Sequence, residues 1–301
     1  MRNPNVHTLD LNFKGVPSSI GVFLIPHQAG GILIECGPGS TIPAVVTALS
    51  DHNLTPQDIT DVFVTHIHLD HAGAAGWWAR QGATIHVHNF GARHLLNPEK
   101  LIASATRIYG DQMDTLWGEF LPVPAEKLNQ LSDGDCIEIE ELNIKALDTP
   151  GHARHHMSYL VNNICFTGDV GGCRLPGIKS IRLPSVPPEF NIETWRQTIH
   201  KLQREDLRFI APTHFGLHPD PNWHLAALAE RLDEIETWVD TNLPHISDRE
   251  TLREQYAAWV TSQDQALGVP ADLIAAYDIA ISSEMSADGI WRYWHKFKAE
   301  I

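Results

Sequence analysis

Residues 65–71, with the sequence THIHLDH, place four side chains that can bind a metal ion within six positions. They follow an apolar run typical of a buried strand and precede a run of small residues that predicts a helix. In extended backbone, side chains two residues apart point to the same side, so His66 and His68 can converge on one ion. Asp70 and His71 come after the turn into the helix, so we expect them to serve a second ion.

Three further segments carry side chains that could complete two coordination shells, which one short loop cannot do alone. Each lies where an apolar run ends, and each has a glycine close to the possible ligand; they are residues 149–152 (TPGH), 166–169 (FTGD) and 211–216 (APTHFG). Glycine lets the backbone turn tightly and approach a site closely. His152, Asp169 and His214 are therefore the predicted additional ligands.

Apolar runs that alternate with helical patterns predict a layered α/β or α+β protein. The predicted strands are residues 20–25, 31–34, 62–65, 84–87, 144–147, 157–161, 164–167 and 209–211. The predicted helices of the same region are residues 42–49, 72–80, 103–120 and 192–202.

The end of the chain has no strand pattern, and its apolar residues keep the spacing of helix faces. Ser247 and Glu250 are interpreted as a capping box that opens a helix, and residues 271–285 predict another. We therefore expect a core domain over residues 1–243 and a helical extension over residues 244–301 that packs on it.

The charge and the cysteine content exclude several classes of protein. The chain has 22 Lys and Arg against 37 Asp and Glu, a formal charge of −15, so nucleic acid is not an expected partner. No signal peptide and no apolar run of membrane-spanning length are apparent, so we expect a cytoplasmic protein without membrane contact. Four scattered cysteines do not form a disulfide framework and are interpreted as small buried residues: Cys36, Cys136, Cys165 and Cys173.

The HxHxDH motif, followed in order by His, Asp and His, resembles the metallo-β-lactamase superfamily, specifically its glyoxalase II-like and lactonase-like branch. The resemblance covers roughly residues 20–216. It implies a four-layer αββα sandwich with a dinuclear metal site at one edge, between the two sheets. The helical extension would be added to this fold.

The resemblance also implies a role for each ligand. The first metal ion would be bound by three histidines: His66, His68 and His152. The second would be bound by Asp70, His71 and His214. Asp169 would bridge the two ions, and His156 would support the site from behind. Two divalent ions are expected, with zinc first and iron or manganese also compatible with these ligands.

Two stretches depart from the family pattern. The strand before the site usually ends in Asp-x-Gly, whereas residues 34–37 read IECG, so Glu35 either takes the structural role of that aspartate or leaves it unfilled. Acyl-homoserine lactonases carry a tyrosine soon after the bridging aspartate, whereas residues 170–173 read VGGC. An aspartate at position 169, where the lactamase branch tends to have cysteine, also argues against antibiotic hydrolysis. We therefore expect another ester-like substrate.

The predicted activity is metal-dependent hydrolysis of a small ester, thioester, lactone or phosphoester. Two cations about 3.5 to 4 Å apart acidify a water held between them, and zinc can lower the pKa of bound water to about 7. The expected nucleophile is this metal-bridging hydroxide, with Asp70 assisting proton transfer. Three alternatives stay open: an iron-dependent oxidoreductase or dioxygenase on the same fold, a phosphodiesterase or nuclease, and a non-catalytic scaffold.

Residues outside the ligand set carry weaker patterns. Arg107 and Tyr109 lie in the insertion that often roofs the site in related folds, and they are candidate substrate contacts or ordinary helix surface. Arg174 is a candidate contact for an anionic substrate, with a structural ion pair as the other interpretation. His155 is expected at the surface, beside a loop.

Aromatic residues near the end of the chain keep a helical spacing: Trp291, Trp294 and Phe297. We interpret them as core packing, with a homodimer contact through the C-terminal helices as the alternative.

Overall fold

The computed structural model describes residues 5–299, which form two β-sheets with helices on their outer faces. The strands are β1 His7–Asp10, β2 Gly21–His27, β3 Gly30–Ile34, β4 Ile59–Phe63, β5 Thr84–His88, β6 Leu128–Leu131, β7 Cys136–Ile139, β8 Leu142–Asp148, β9 Met157–Val161, β10 Ile164–Phe166 and β11 Phe209–Ala211. The helices are α1 Ile42–Ser50, α2 Leu69–Ala72, α3 Ala75–Gln81, α4 Asn89–Leu96, α5 Glu99–Tyr109, α6 Met113–Trp117, α7 Ile192–Leu202, α8 Pro221–Asn242, α9 Arg249–Ala266, α10 Ala271–Ala280 and α11 Ser283–Tyr293.

The first sheet has six strands in the order β1-β2-β3-β4-β5-β6, and the second has five in the order β11-β10-β9-β8-β7. Apolar side chains of both sheets, such as Phe23 and Phe166, form one core between them. A second core lies between the first sheet and α1, α3 and α4, and a third lies between the second sheet and the later helices. The predicted four-layer αββα sandwich is therefore confirmed.

The strand directions bring the four motif-bearing loops to one edge of the sandwich. Strand β8 pairs antiparallel with β9, β9 antiparallel with β10, and β10 parallel with β11, so β8, β10 and β11 run the same way. Residues 149–152, 167–169 and 212–214 follow the ends of these three strands, and residues 64–71 follow the end of β4. A backbone hydrogen bond of 2.8 Å from Met157 N to Thr65 O joins the loops of the two sheets.

Three of the strands lie at sheet edges and are not among the predicted strands. These are β1 and β6 in the first sheet and β7 in the second. Each has four residues and mixes polar with apolar side chains, because an edge strand has a neighbour on one side only and is partly exposed. Strand β7 begins with Cys136, which is exposed, so the prediction of a buried residue is wrong there; the other three cysteines are buried as predicted.

Two predicted helical boundaries in the C-terminal region are wrong. The cap of α9 is Asp248, whose carboxylate accepts a hydrogen bond of 2.9 Å from Thr251 N, so the Ser247 and Glu250 pair does not form the predicted capping box. The single helix predicted over residues 271–285 is two helices, because Ile281 is extended and Ser282 caps α11 through Met285 N. Local hydrogen bonds of short polar side chains decide both boundaries.

The insertion between α4 and β6 also differs from the prediction of one helix over residues 103–120. Helix α5 begins earlier, at Glu99, and ends at Tyr109, after which the backbone leaves the helix at Gly110. Of the eleven residues of α5, Ala105 is the buried one, whereas α6 rests its Trp117 ring on Phe13 at 5.4 Å.

The later helices share one core with the second sheet. Side chains of α7, α8, α9 and α11 meet in it, including Trp195, Leu228, Tyr256 and Ile290. Trp291 and Trp294 pack against this core as half-buried residues, whereas Phe297 is 42% exposed. The boundary at residue 243 and the homodimer contact stay predictions. Within residues 5–299, no helix has the length and apolar character needed to span a bilayer.

Helix α11 touches the loop before α7 very closely. A Cβ added at Gly289 would lie 1.9 Å from Ser185 O, so only glycine allows this approach.

A buried ion pair joins α9 to the segment between β10 and α7, which contacts the loop of His214. Arg182 Nε donates to Asp264 Oδ2 at 2.8 Å, and the two residues are 5% and 2% exposed. The backbones of Arg182 and Cys173 exchange two hydrogen bonds, and Cys173 also forms an isolated β-bridge with His214. Removing one partner of such a pair leaves an uncompensated charge inside the protein.

Asp264→Ala should lower the free energy of unfolding by about 3 kcal/mol, because the guanidinium of Arg182 would stay buried without its carboxylate. Urea denaturation followed by circular dichroism measures this change. Glu254→Ala, an exposed carboxylate on the same helix, is the control and should change stability by less than about 0.5 kcal/mol. Equal stability of the two variants would contradict a structural role of the pair.

Candidate metal centre

The seven predicted ligands lie together at the edge of the sandwich. They form two groups, within each of which the possible ligand atoms lie within 4.8 Å of one another. The first group is His66, His68, His152 and Asp169, and the second is Asp70, His71 and His214. The structure thus brings together residues that are up to 148 positions apart, from His66 to His214.

Three imidazole nitrogens converge in the first group. His66 Nε2 and His152 Nε2 each lie 2.9 Å from His68 Nδ1. A single ring nitrogen has either one proton or one lone pair, so His68 Nδ1 cannot satisfy both neighbours with hydrogen bonds. One cation placed among the three would accept a lone pair from each of them.

Buried polar atoms where Asp169 meets the second group lack hydrogen bonds. Asp169 Oδ1 is 3.1 Å from His71 Nε2 and 3.4 Å from His214 Nε2, but the atoms are not aligned for hydrogen bonding. All three atoms are buried and lack a hydrogen-bond partner among the described residues. Buried polar groups in proteins are nearly always satisfied, so these atoms fit a bound cation.

The two carboxylate oxygens of Asp169 face different groups. Oδ2 is 3.3 Å from His152 Nε2 and 4.0 Å from His66 Nε2, whereas Oδ1 faces His71 and His214. A carboxylate in this orientation can bind one ion with each oxygen, which is the arrangement that the predicted bridging role requires.

The second ring nitrogen of three ligands is held by a fixed acceptor. Its partners are Glu35 Oε1 at 2.8 Å for His71, Pro184 O at 2.7 Å for His152 and Ser19 O at 2.5 Å for His214. A carbonyl or carboxylate oxygen can only accept, so Nδ1 of each ring carries a proton and Nε2 is the nitrogen that can bind a metal. The two backbone carbonyls could not be identified from the sequence, because any residue type supplies one.

Glu35 fills the position that the sequence left undecided. Its fully buried carboxylate accepts hydrogen bonds from Thr65 N, Thr65 Oγ1, His71 Nδ1 and Thr213 Oγ1, at 3.1, 2.6, 2.8 and 2.9 Å. Thr65 precedes the first motif, and Thr213 precedes His214. One carboxylate therefore joins β3 to two ligand loops and orients one ligand.

Burial keeps the imidazoles of the first group neutral. It lowers the pKa of His66 well below the ordinary value, the pKa of His152 below it, and the pKa of His68 to about 3. A neutral imidazole is the form that binds a metal.

Asp70 and Asp169 place negative charge beside His71 and His214. Burial alone would lower the pKa of His71 and His214, but Asp70 and Asp169 raise that of His71 well above its ordinary value and that of His214 to about 9. Burial alone would raise the pKa of the Asp70 and Asp169 carboxyl groups, but the positive charge of His71 lowers the pKa of both. The site therefore attracts positive charge, as a cation-binding site must.

His156 lies behind the first group, with Nδ1 3.0 Å from Thr149 Oγ1 and its ring 5.0 Å from that of His66. This position suits the predicted supporting role. The prediction that His155 lies at the surface is wrong: it is 7% exposed, and its ring is 5.9 Å from that of His68. It is buried because α4 packs over this loop, with a Cβ at Gly91 only 3.5 Å from the His155 Cβ.

The two candidate substrate contacts of the insertion differ in position. Arg107 is exposed and donates from Nε to Ala103 O on its own helix at 3.1 Å. Tyr109 is half-buried, and its hydroxyl donates to Met285 Sδ of α11 at 3.4 Å. Burial, and then the charge of Asp70, raises the pKa of Tyr109. Tyr109 thus lies within the electrostatic range of the site, and its phenol stays protonated.

Arg174 forms a structural ion pair. It donates to both carboxylate oxygens of Asp220, at 2.7 and 3.1 Å, and its guanidinium lies 4.6 Å from the centre of the Trp223 ring. The side chain is buried, which agrees with the structural ion-pair interpretation. A substrate contact of Arg174 stays a prediction.

Comparison with known proteins gives the following relatives. A family model described as the metallo-beta-lactamase superfamily matches residues 15–214, which include all seven predicted ligands. The chain is 23% identical over 231 residues to the metallo-beta-lactamase fold-containing protein ST1585 of Sulfurisphaera tokodaii, covering 74% of this chain and 86% of that one. The solved structure of ST1585 from Sulfolobus tokodaii aligns with a TM-score of 0.66 and 18% identity, over 96% of this chain and 99% of that one.

Two relatives have names that state an activity. A hydroxyacylglutathione hydrolase of Aeromonas hydrophila is 24% identical over 239 residues, covering 76% of each chain. An atrochrysone carboxyl ACP thioesterase of Aspergillus fumigatus is 26% identical over 197 residues, which cover 64% of this chain and 49% of that protein.

Glu35→Gln should weaken metal binding about tenfold to a hundredfold. The amide removes the negative charge that orients His71, and its NH2 group would face one of the four groups that now donate to Glu35. Titration of the protein against a metal-chelating dye measures the affinity. Glu126→Gln, which changes an exposed side chain, should bind metal like the unchanged protein. If the two variants bind metal equally well, Glu35 does not support the site.

Proposed function

Because this chain belongs to the metallo-beta-lactamase superfamily, we propose that it is a metal-dependent hydrolase of a small ester-like substrate. The observation that carries the proposal is the convergence of five histidines and two aspartates in two adjacent groups. Unsatisfied buried atoms of His71, His214 and Asp169 support cation binding at this place.

We assign two divalent ions to the site. His66, His68 and His152 would hold the first, Asp70, His71 and His214 the second, and Asp169 would contact both. When bound, such ions supply an acidified water and polarise an oxygen of the substrate. Zinc suits this set of imidazoles and carboxylates, and iron and manganese are the other candidates.

Asp70 is the carboxylate that we propose for proton transfer. Its side chain is 23% exposed, against 5% for Asp169, so it is the more accessible of the two to a bound substrate. Its Oδ2 lies 3.4 Å from both His71 Nε2 and His214 Nε2, which fixes its direction. A carboxylate held there can accept a proton from water and deliver it to a leaving group.

The proposed substrate class covers esters, thioesters, lactones and phosphoesters. The relatives named as a hydroxyacylglutathione hydrolase and an ACP thioesterase support thioesters first among these. The charge of −15 favours small molecules over nucleic acid polymers. The absence of tyrosine in residues 170–173 supports a substrate other than an acyl-homoserine lactone.

Asp169→Ala should remove at least one of the two ions and lower turnover about a hundredfold or more, because both groups lose a ligand oxygen. Plasma mass spectrometry gives the metal content, and a panel of acetyl esters and thioesters gives the turnover. Asp51→Ala, an exposed residue after α1, is the control. Unchanged metal stoichiometry together with unchanged turnover would exclude the bridging role.

Removal of metal with dipicolinate should abolish hydrolysis, and addition of the native metal should restore it, because no other group of the site supplies an acidified water. Metal analysis of protein purified from its own host identifies that ion, and an absorption spectrum distinguishes an iron centre from zinc. Full hydrolysis by protein verified to be free of metal would contradict the proposed function.

A further inference from the structure

Two arginines lie over one phenyl ring beside the candidate metal centre. The guanidinium carbons of Arg93 and Arg154 are 4.8 and 4.3 Å from the centre of the Phe90 ring. Both side chains are exposed, whereas Phe90 is half-buried. We call these three residues the arginine pair site.

The arginine pair site is next to the ligand loops. Arg154 follows His152 by two residues, and Phe90 and Arg93 belong to α4. Helix α4 packs on both loops, because a Cβ at Gly91 would be 3.0 Å from Ile67 Cγ2 and 3.5 Å from His155 Cβ. A group bound between the two guanidinium groups would therefore lie at the rim of the metal centre.

Positive charge accumulates here although the chain as a whole is acidic, with a charge of −15. Arg93 Nε donates to His94 Nε2 at 3.2 Å. Burial, and then the charge of Arg93, lowers the pKa of His94; the negative charge of Glu189 opposes this, and Lys100 adds a third, weaker positive charge to the region. Two guanidinium groups on one ring repel each other, and contact with the ring compensates for this only in part.

One carboxylate of this region, that of Glu189, contacts the backbone of Arg154 and not its guanidinium group. Glu189 Oε2 accepts a hydrogen bond of 3.0 Å from the backbone N of Arg154 and lies 3.7 Å from His155 Nε2. Within residues 5–299, neither Arg93 nor Arg154 forms an ion pair with an acidic side chain, unlike Arg174, Arg182, Arg196 and Arg253. Apart from Arg93 Nε, which donates to His94, the guanidinium donors of the arginine pair site are therefore available to a ligand.

We propose that Arg93 and Arg154 bind an anionic group of the substrate, a carboxylate or a phosphate, while the ester-like bond of that substrate lies at the metal centre. Guanidinium groups present planar sets of donors that match both kinds of oxyanion. This inference rests on the proposed function and adds to it: the substrate carries a negative charge away from the bond that is cleaved.

Three acetyl thioesters that differ in the charge of the thiol part test this inference. They are the thioesters of N-acetylcysteamine, which is neutral, of 3-mercaptopropionate, which carries a carboxylate, and of phosphopantetheine, which carries a phosphate. The released thiol is measured to give kcat/KM for metal-loaded wild type, Arg93→Gln, Arg154→Gln and the double variant. Arg80→Gln is the matched control, because Arg80 is exposed on α3, near the start of β5 and away from the ligand loops.

The double variant should lose about tenfold in kcat/KM, chiefly through KM, for at least one anionic thioester, and the single variants should lose less. Hydrolysis of the neutral thioester should stay within about twofold, and Arg80→Gln should behave like wild type throughout. The anionic thioester that responds identifies carboxylate or phosphate as the preferred group. Added salt should reduce the difference between wild type and the double variant, because exposed charges are screened.

An equal loss for neutral and anionic thioesters, or no loss for any, would overturn the inference while leaving the hydrolase proposal intact. If wild type cleaves none of the three, calorimetry with succinate and with inorganic phosphate on the metal-loaded proteins decides instead. If the double variant binds either anion about tenfold more weakly than wild type does, the arginine pair site is supported. If wild type and the double variant bind succinate with equal affinity and also bind phosphate with equal affinity, the inference is overturned.

Discussion

The buried carboxylate of Glu35 is the constraint around which the two sheets and their loops are arranged. It has no exposure to solvent and is stabilised by four donors from residues 65, 71 and 213. An ionised group inside a protein is tolerated only when donors surround it, so the loop after β4 and the loop after β11 must both close on the end of β3. The same closure brings His66, His71 and His214 within reach of each other.

The sequence predicts which side chains lie together at the candidate metal centre, because metal chemistry restricts residue type strongly. Imidazoles and carboxylates must occupy those positions, and their spacing after strands indicates which of them converge. Glu35 was harder to interpret, since a carboxylate one methylene longer than the usual aspartate could reach its partners or miss them. The burial of His155 does not follow from its neighbours in sequence, because it depends on α4, which packs on this loop through Gly91.

The fold class follows from the sequence for a similar reason, whereas several boundaries do not. Fully buried strands such as β3 and β10 have no polar side chain other than a cysteine and lie within one residue of the predicted limits. The edge strand β7 alternates polar and apolar side chains, and its hydrogen bonds with β8 are what make it a strand. The break between α10 and α11 depends on the cap at Ser282, a local hydrogen bond that competes with a favourable helical spacing.

The contact of α11 with the loop before α7 has a consequence for the order of events during synthesis. Gly289 packs on Ser185 O, next to Pro184, whose carbonyl holds the ring of His152. The ribosome releases α11 after all seven ligands, so a nascent chain has its histidines long before the loop that orients His152 is fixed in place. We expect the first group to bind its ion tightly only once α11 has been synthesised and has packed on this loop.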